Sequence, residues 1–249
     1  MSLIRTQGIV IGQVDTGEAD KILTIFTKKY GKIQASVKGA RRPRSNLMAC
    51  SQILVFSDFI FYKGKDIYSV NTCDIIEPFY NIRSDLAKLT YASYFTEIIN
   101  YIVHENLPSY RVLQLFLNAL FILSETDKPP ELIARAFELR IMSIIGYKPY
   151  IDSCSKCYKD KIYSHFSIEN GGLICDDCQK NLIGCISLSD AAIKAMRYIL
   201  KSDIKKLFSF TASEFILKEL KLVSLAYIKG KLEKEFQTLK FLDKMDTKR

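Results

Sequence analysis

Four cysteines, in the order Cys154-Ser-Lys-Cys157 and Cys175-Asp-Asp-Cys178, constrain this chain more than any other feature. Two Cys-x-x-Cys knuckles separated by 17 residues fall within the spacing of structural zinc sites. The two-residue gap lets both thiolates of a knuckle turn onto one ion. Two knuckles then complete a tetrahedral four-sulfur shell with Zn–S near ~2.3 Å. Such a shell leaves no position for water or substrate, so the expected role is a staple for folding. Ligand softness and availability favour Zn2+, while iron in a rubredoxin-like shell uses the same four thiolates and stays open on spacing alone. Two disulfides would need an oxidising compartment, and the start, Met1 to Gly8, lacks the long apolar stretch and small-residue cleavage site of a signal peptide. The expected compartment is therefore a reducing cytosol. His165 lies between the knuckles and, with four thiolates present, reads as a surface loop residue. Cys50, Cys73 and Cys185 stand alone and read as small buried hydrophobes.

A length of 249 residues fits one large domain or two to three small ones, and 48% hydrophobic residues suffice for a core. No apolar run approaches the ~18 residues of a membrane span, so no membrane partner is expected. The net charge of +9 suits a polyanion, nucleic acid first. Its distribution says more: residues 1–80 carry +4, residues 81–193 carry −2, and residues 194–249 carry +7. The positive field belongs to the two ends.

The first third reads as β. Gly8–Val14, Lys21–Thr27 and Ile33–Lys38 are short alternating or β-branched runs, with a turn at Tyr30-Gly31-Lys32. Ile53–Tyr62, the turn Lys63-Gly64-Lys65 and Ile67–Cys73 follow. Five closely spaced strands suggest a small antiparallel barrel. An OB-type barrel fits the count, and an SH3-like barrel fits almost as well.

Between these strands the sequence is basic. Lys28, Lys29, Lys32, Lys38, Arg41, Arg42 and Arg44 occur with no acid among them. Gly39-Ala-Arg-Arg-Pro-Arg-Ser45 reads as a mobile loop, because Gly39 and Pro43 discourage regular structure. Cations unrelieved by acids favour phosphate contact. Tyr30, Phe59, Phe61 and Tyr62 lie nearby, where aromatic rings would stack bases in a single-strand site. Ordinary core packing is the preferred reading of these rings.

From Glu77-Pro78 the hydrophobic period becomes helical. Leu86 to Ile102 is one helix, Val112–Leu123 a nearly all-round apolar one, and Glu131–Ile145 a third, with Pro130 in its first turn and Gly146 as its cap. The cysteine segment, 150–183, interrupts this pattern. Ser189 reads as an N-cap for Ala191–Leu200, and a long lysine-interleaved helix is expected from Ser213 to Leu242. The fold class is thus α+β: a barrel domain over 1–79, then a helical domain over 80–249 with the insert at 150–183.

No P-loop, dinucleotide fingerprint, nucleophile elbow or His-Glu-x-x-His occurs, and the two histidines have no recognisable catalytic setting. No catalytic residue is assigned, and a binding protein is expected.

These segments resemble the bacterial RecO family of recombination mediators and DNA repair proteins. The resemblance rests on Gly8-Ile-Val-Ile, on Gly17-Glu-Ala-Asp-Lys-Ile-Leu-Thr-Ile-Phe-Thr27, on Tyr30-Gly-Lys32 and on Lys38-Gly-Ala-Arg-Arg42. It extends through Phe137-Glu-Leu-Arg140 to Gly146-Tyr-Lys-Pro149, running into the first knuckle, and through Gly171-Gly-Leu-Ile into the second. The last helix matches in character only. The resemblance implies an OB-fold, and a protein that is not an enzyme. It implies binding of single- and double-stranded DNA and annealing of complementary strands. It also implies help in loading RecA onto single-stranded DNA coated by single-strand binding protein (SSB). Implied partners are RecR and the acidic, apolar C-terminal tail of SSB, which would dock on the helical domain, and the implied location is the cytoplasm, at the nucleoid. The alternative from a different class is a zinc-stapled OB-fold factor bound to RNA or the ribosome, because charge does not distinguish the two nucleic acids.

Overall fold

A computed structural model describes residues 2–64, 67–159 and 163–246. Lys65, the end of the expected turn after Tyr62, lies outside the described residues. The chain divides into two compact units, Met1–Gln114 and Leu115–Arg249.

The first unit is built on five strands: β1 Leu3–Thr16, β2 Asp20–Thr27, β3 Gly31–Val37, β4 Phe56–Tyr62 and β5 Tyr68–Glu77. They close in the order β1-β2-β3-β5-β4. β1 is long enough to serve two neighbours. It pairs with β2 from Gly8↔Thr27 to Thr16↔Asp20 and with β4 from Leu3↔Tyr62 to Ile9↔Phe56. A parallel contact at Ala35↔Tyr68 and Ser36↔Ser69 completes the circle. This closure is the OB-type arrangement.

Alternation selects the barrel interior. Val10, Leu23, Ile25, Ile33, Ala35, Val37, Phe59, Phe61 and Val70 form the core. Phe59 and Phe61 stack at 5.3 Å and are fully buried, so these two rings are core packing. Tyr30 packs on the same core beside Tyr68, and Tyr62 remains exposed.

The expected strand over Ile53–Tyr62 begins only at Phe56. Leu54 sits at φ +68°, and residues 52–55 turn so that the Leu54 amide donates to Val10 O and Val55 O accepts from the Val10 amide. One helical turn, α1 (Leu47–Cys50), precedes this bend. Cys50 and Cys73 do not stand alone. They form a disulfide between α1 and β5, with Cα atoms 6.6 Å apart. Their separation of 23 residues carries no pairing signal in the sequence.

Beyond the barrel come α2 (Tyr80–Arg83) and α3 (Leu86–Ile102), then α4 (Tyr110–Glu125) and α5 (Pro130–Ile144). Asp85 caps α3 through the Lys88 amide at 3.0 Å. Gly31 approaches the chain after α3 so closely that a Cβ would lie 2.4 Å from Leu107 O, and its φ is +65°. Only glycine fits there. As expected, Pro130 occupies the first turn of α5, and Gly146 follows its end at φ +100°.

The second unit inserts a small sheet between helices: β6 Tyr163–Ser167, β7 Gly172–Cys175, the short α6 Asp176–Gln179, and β8 Ile186–Ser187, in the order β7-β6-β8. Then follow α7 (Asp190–Lys201), α8 (Glu214–Leu232) and α9 (Gln237–Asp246). α5, α7 and α8 pack on one another. Ser189 caps α7 as expected, accepting from the Ala192 amide at 3.2 Å. Arg140 closes the other end of α7, donating to Leu200 O and Ser202 O, two of the carbonyls a helix end leaves unpaired. The long last helix is in fact two helices. Glu233 adopts φ +52° and ends α8, and Phe236 is buried in the connection. No glycine or proline stands at 233–236 to signal the break.

Candidate nucleic-acid interface and metal centre

The basic run is continuous in sequence and divided in space. Lys28, Lys29 and Lys32 lie at the β2–β3 turn, whereas Lys38, Arg41, Arg42 and Arg44 follow the far end of β3. The seven residues of β3 set the two groups roughly 20 Å apart.

The first group is largely engaged. Lys32 Nζ donates to Asn100 O at 2.9 Å, satisfying a carbonyl near the end of α3. Lys29 Nζ reaches Arg5 O at 3.4 Å, and Lys28 Nζ lies 5.3 Å from the centre of the Tyr110 ring.

The second group is exposed: Lys38, Arg41, Arg42 and Arg44 all face solvent. Their loop is a succession of tight turns and is well anchored. Ala40 is buried in the barrel core. The Gly39 amide donates to Asp20 Oδ1 at 2.7 Å, the Arg41 amide to Ala19 O at 2.9 Å, and the Ser45 amide to Arg42 O at 3.0 Å. Acids absent from the run approach it from the end of β1 and the start of β2. Arg41 Nε lies 3.4 Å from Asp15 Oδ2, so Lys38, Arg42 and Arg44 form the less compensated part. Lys21 is a cation the run did not include. With Arg83 it edges a mostly apolar hollow of about 700 Å³ lined by Ile11, Ile53, Leu54 and Leu89.

The four cysteines converge. Their Sγ atoms all lie within 4.8 Å of one another, and Cys157 Sγ and Cys175 Sγ are 3.9 Å apart. A tetrahedron with Zn–S of ~2.3 Å has edges of about 3.8 Å, so the group fits one ion. Cys154 and Cys157 lie on a turn closed by Tyr158 N–H to Cys154 O at 2.8 Å, while Cys175 ends β7 and Cys178 lies in α6. Gly172 lets the two knuckles meet: a Cβ there would lie 2.4 Å from Tyr150 O and 3.0 Å from Ser155 Cβ.

Burial opposes ionisation of Cys154, but the amides of Cys157, Cys175 and Lys156 outweigh it and bring the thiol down to about 6. Desolvation and the neighbouring thiols push Cys178 up to about 12. A divalent cation binds the deprotonated thiolates, so its binding would release the protons the thiols carry. His165 is not a loop residue. It lies in β6, with Nδ1 2.8 Å from Ser164 Oγ and 3.7 Å from Asp176 Oδ1, outside the four-sulfur group.

A third feature had no signal in the sequence, because it depends on the break after α8. Leu225 and Ile228 of α8 and Phe236 and Leu239 line a groove of about 230 Å³, edged by Lys229, Lys234, Lys240 and Glu235. Glu235 is held below the usual carboxylate range by its hydrogen bond to Lys229 and by Lys240. Among the described residues, no helix is long and apolar enough to cross a membrane.

Residues 1–79 match the family model described as recombination protein O N terminal, and residues 83–240 match the one described as recombination protein O C terminal. A DNA repair protein RecO of Acetivibrio thermocellus is 49% identical over 247 residues, covering 99% of this chain and 98% of that protein. The RecO of Thermoanaerobacter sp. strain X514 is 35% identical over 98% of this chain and 99% of its own length. That of Clostridium acetobutylicum is 34% identical over 88% and 89%.

Proposed function

Because this chain belongs to the RecO family of DNA repair proteins, and so to recombinational repair, we propose that it is a non-enzymatic recombination mediator of the cytoplasm and nucleoid. It anneals complementary single strands and, with RecR, assists RecA loading onto SSB-coated DNA. The observation that carries this reading is the exposed cation group Lys38, Arg41, Arg42 and Arg44 on an anchored loop at one end of an OB-type barrel. Cations there lower the repulsion between two phosphate backbones, which is the barrier to pairing. The proposed division of labour is a DNA-binding domain at 1–79 and a helical domain at 80–249, stapled by Zn2+ on Cys154, Cys157, Cys175 and Cys178 within 150–183. The groove edged by Lys229, Lys234 and Lys240 supports docking of the SSB tail, whose acids suit the lysines and whose apolar end suits Phe236 and Leu239.

The test is annealing of complementary oligonucleotides precoated with cognate SSB, across a salt series. Acceleration that fades with salt and needs the SSB tail is expected. No acceleration, with tighter binding to matched RNA than to DNA, would replace the mediator by an RNA-binding factor.

A further inference from the structure

Two tyrosines stand exposed at the first knuckle: Tyr150, whose phenol meets Ser153 Oγ at 2.9 Å, and Tyr158, a ring that packing does not explain. Tyr158 is 72% exposed, yet its backbone is left-handed at φ +59°, an uncommon conformation for a bulky residue. Knuckle closure imposes that conformation: the Tyr158 amide donates to Cys154 O, and Lys159 O accepts from the Cys154 amide at 3.3 Å. The ring gains little burial in return. It meets the ring of Tyr150, itself 40% exposed, at 6.1 Å between centroids and 77° between planes. A polar residue at 158 would serve the fold better.

Cations lie close to the pair along the chain. Lys156 and Lys159 flank Tyr158 in sequence and are exposed, as is Lys148 two residues before Tyr150. From α7, Arg197 Nε donates to Ile151 O at 3.2 Å, and Lys201 Nζ contacts Asp152 Oδ1 at 2.6 Å. Arg197 and Lys201 thus bring two further cations to Ile151 and Asp152, which follow Tyr150 in sequence.

We propose that this face is a second contact for single-stranded nucleic acid, in which Tyr150 and Tyr158 stack bases and Lys148, Lys156 and Lys159 hold the adjoining phosphates. The inference rests on the DNA-binding reading above and adds a site the barrel does not supply. Open aromatic faces flanked by cations are what sequence-neutral single-strand binding uses, since every base has a π-face. The metal would then orient a contact surface as well as staple the fold.

The test uses the full chain with zinc. Fluorescence anisotropy follows a 30-nucleotide single strand on the wild type, Tyr150→Ala/Tyr158→Ala and Tyr150→Phe/Tyr158→Phe. Photocrosslinking of an iodouracil-substituted strand, read by mass spectrometry, maps contacts independently of any variant. Alanine is expected to weaken binding by roughly five- to a hundredfold per ring. Phenylalanine should keep it, and a crosslink should fall on Tyr150 or Tyr158 in the wild type. Unchanged affinity in the alanine variant, with crosslinks confined to the barrel, overturns this proposal and leaves the mediator reading intact. Failure of the wild type to bind any single strand overturns both. Zinc content and melting temperature, unchanged between the two variants, exclude misfolding as the cause of a loss.

Discussion

The Gly39 amide donates to the Asp20 carboxylate at 2.7 Å, and this bond joins the basic loop after β3 to the start of β2. Asp20 therefore orders a cation-rich segment it also partly neutralises. Asp20→Ala removes the acceptor and leaves a glycine in a left-handed turn at φ +67° without its anchor. A loss of about 1 kcal/mol in chemical denaturation is expected, because the bond is charge-assisted but only half buried. Broadening of loop amide exchange should accompany it.

The division of the basic run makes its two halves experimentally separable. Replacing Arg41, Arg42 and Arg44 by Ala should weaken DNA binding about equally across sequences and lower the salt slope by roughly 2–3. Replacing Lys28, Lys29 and Lys32 should change that slope much less, because Lys32 caps α3 and Lys29 is turned to Arg5 O. This second variant should instead melt earlier. Equal slopes for both variants would remove the loop's proposed role.

Chelation or Cys154→Ser should cost several kcal/mol of stability, since binding energy at a closed four-sulfur site is folding energy. The second unit should bear the loss. Elemental analysis of the purified chain should give about one zinc per molecule. A stable, metal-free Cys154→Ser protein would refute the staple.

The Cys50–Cys73 bridge spans a separation of 23 residues and encloses β4. Cys73→Ser should lower stability by ~3 kcal/mol on the chain-entropy account, with no change in zinc content. Mass spectrometry after alkylation without reduction should find these two cysteines unmodified. Full labelling at both would show that the pair is a dithiol in solution.

Tyr227 of α8 packs edge-on against Phe166 of β6 at 5.6 Å, and burial pushes its phenol up to about 12. Lys231 Nζ lies 5.8 Å from the centre of the Tyr227 ring. A raised folded value means that this stability is fully present below the ordinary tyrosine value near ~10 and is lost as pH rises from there through about 12. Melting curves between pH 9 and about 11.5 should fall more steeply for the wild type than for Tyr227→Phe. Parallel curves would place the alkaline transition elsewhere.

Local chemistry made much of this legible in sequence. Cys-x-x-Cys spacing is a property of a few consecutive residues, so the tetrad was readable before any fold was known. The same holds for Ser189 as a cap, Pro130 in a first turn and the alternating strands. Of the rings whose preferred reading is core packing, Phe59 and Phe61 are fully buried and Tyr62 is exposed. Glu233 shows the limit. Its left-handed conformation splits the last helix because Phe236 is buried there, a demand of packing with no local residue signal.

The sequence by itself determined the α+β class, the closely spaced strands, the four-sulfur donor set and the family. Each follows from short-range periodicity, spacing or order along the chain. Only the tertiary structure decided that one basic run becomes two surfaces, that Cys50 meets Cys73, and that the Tyr158 ring stands open beside lysines. These depend on which distant segments the barrel closure and the knuckle bring together. Charge counted along a chain does not record the acids that folding sets beside it, as Asp15 beside Arg41 shows.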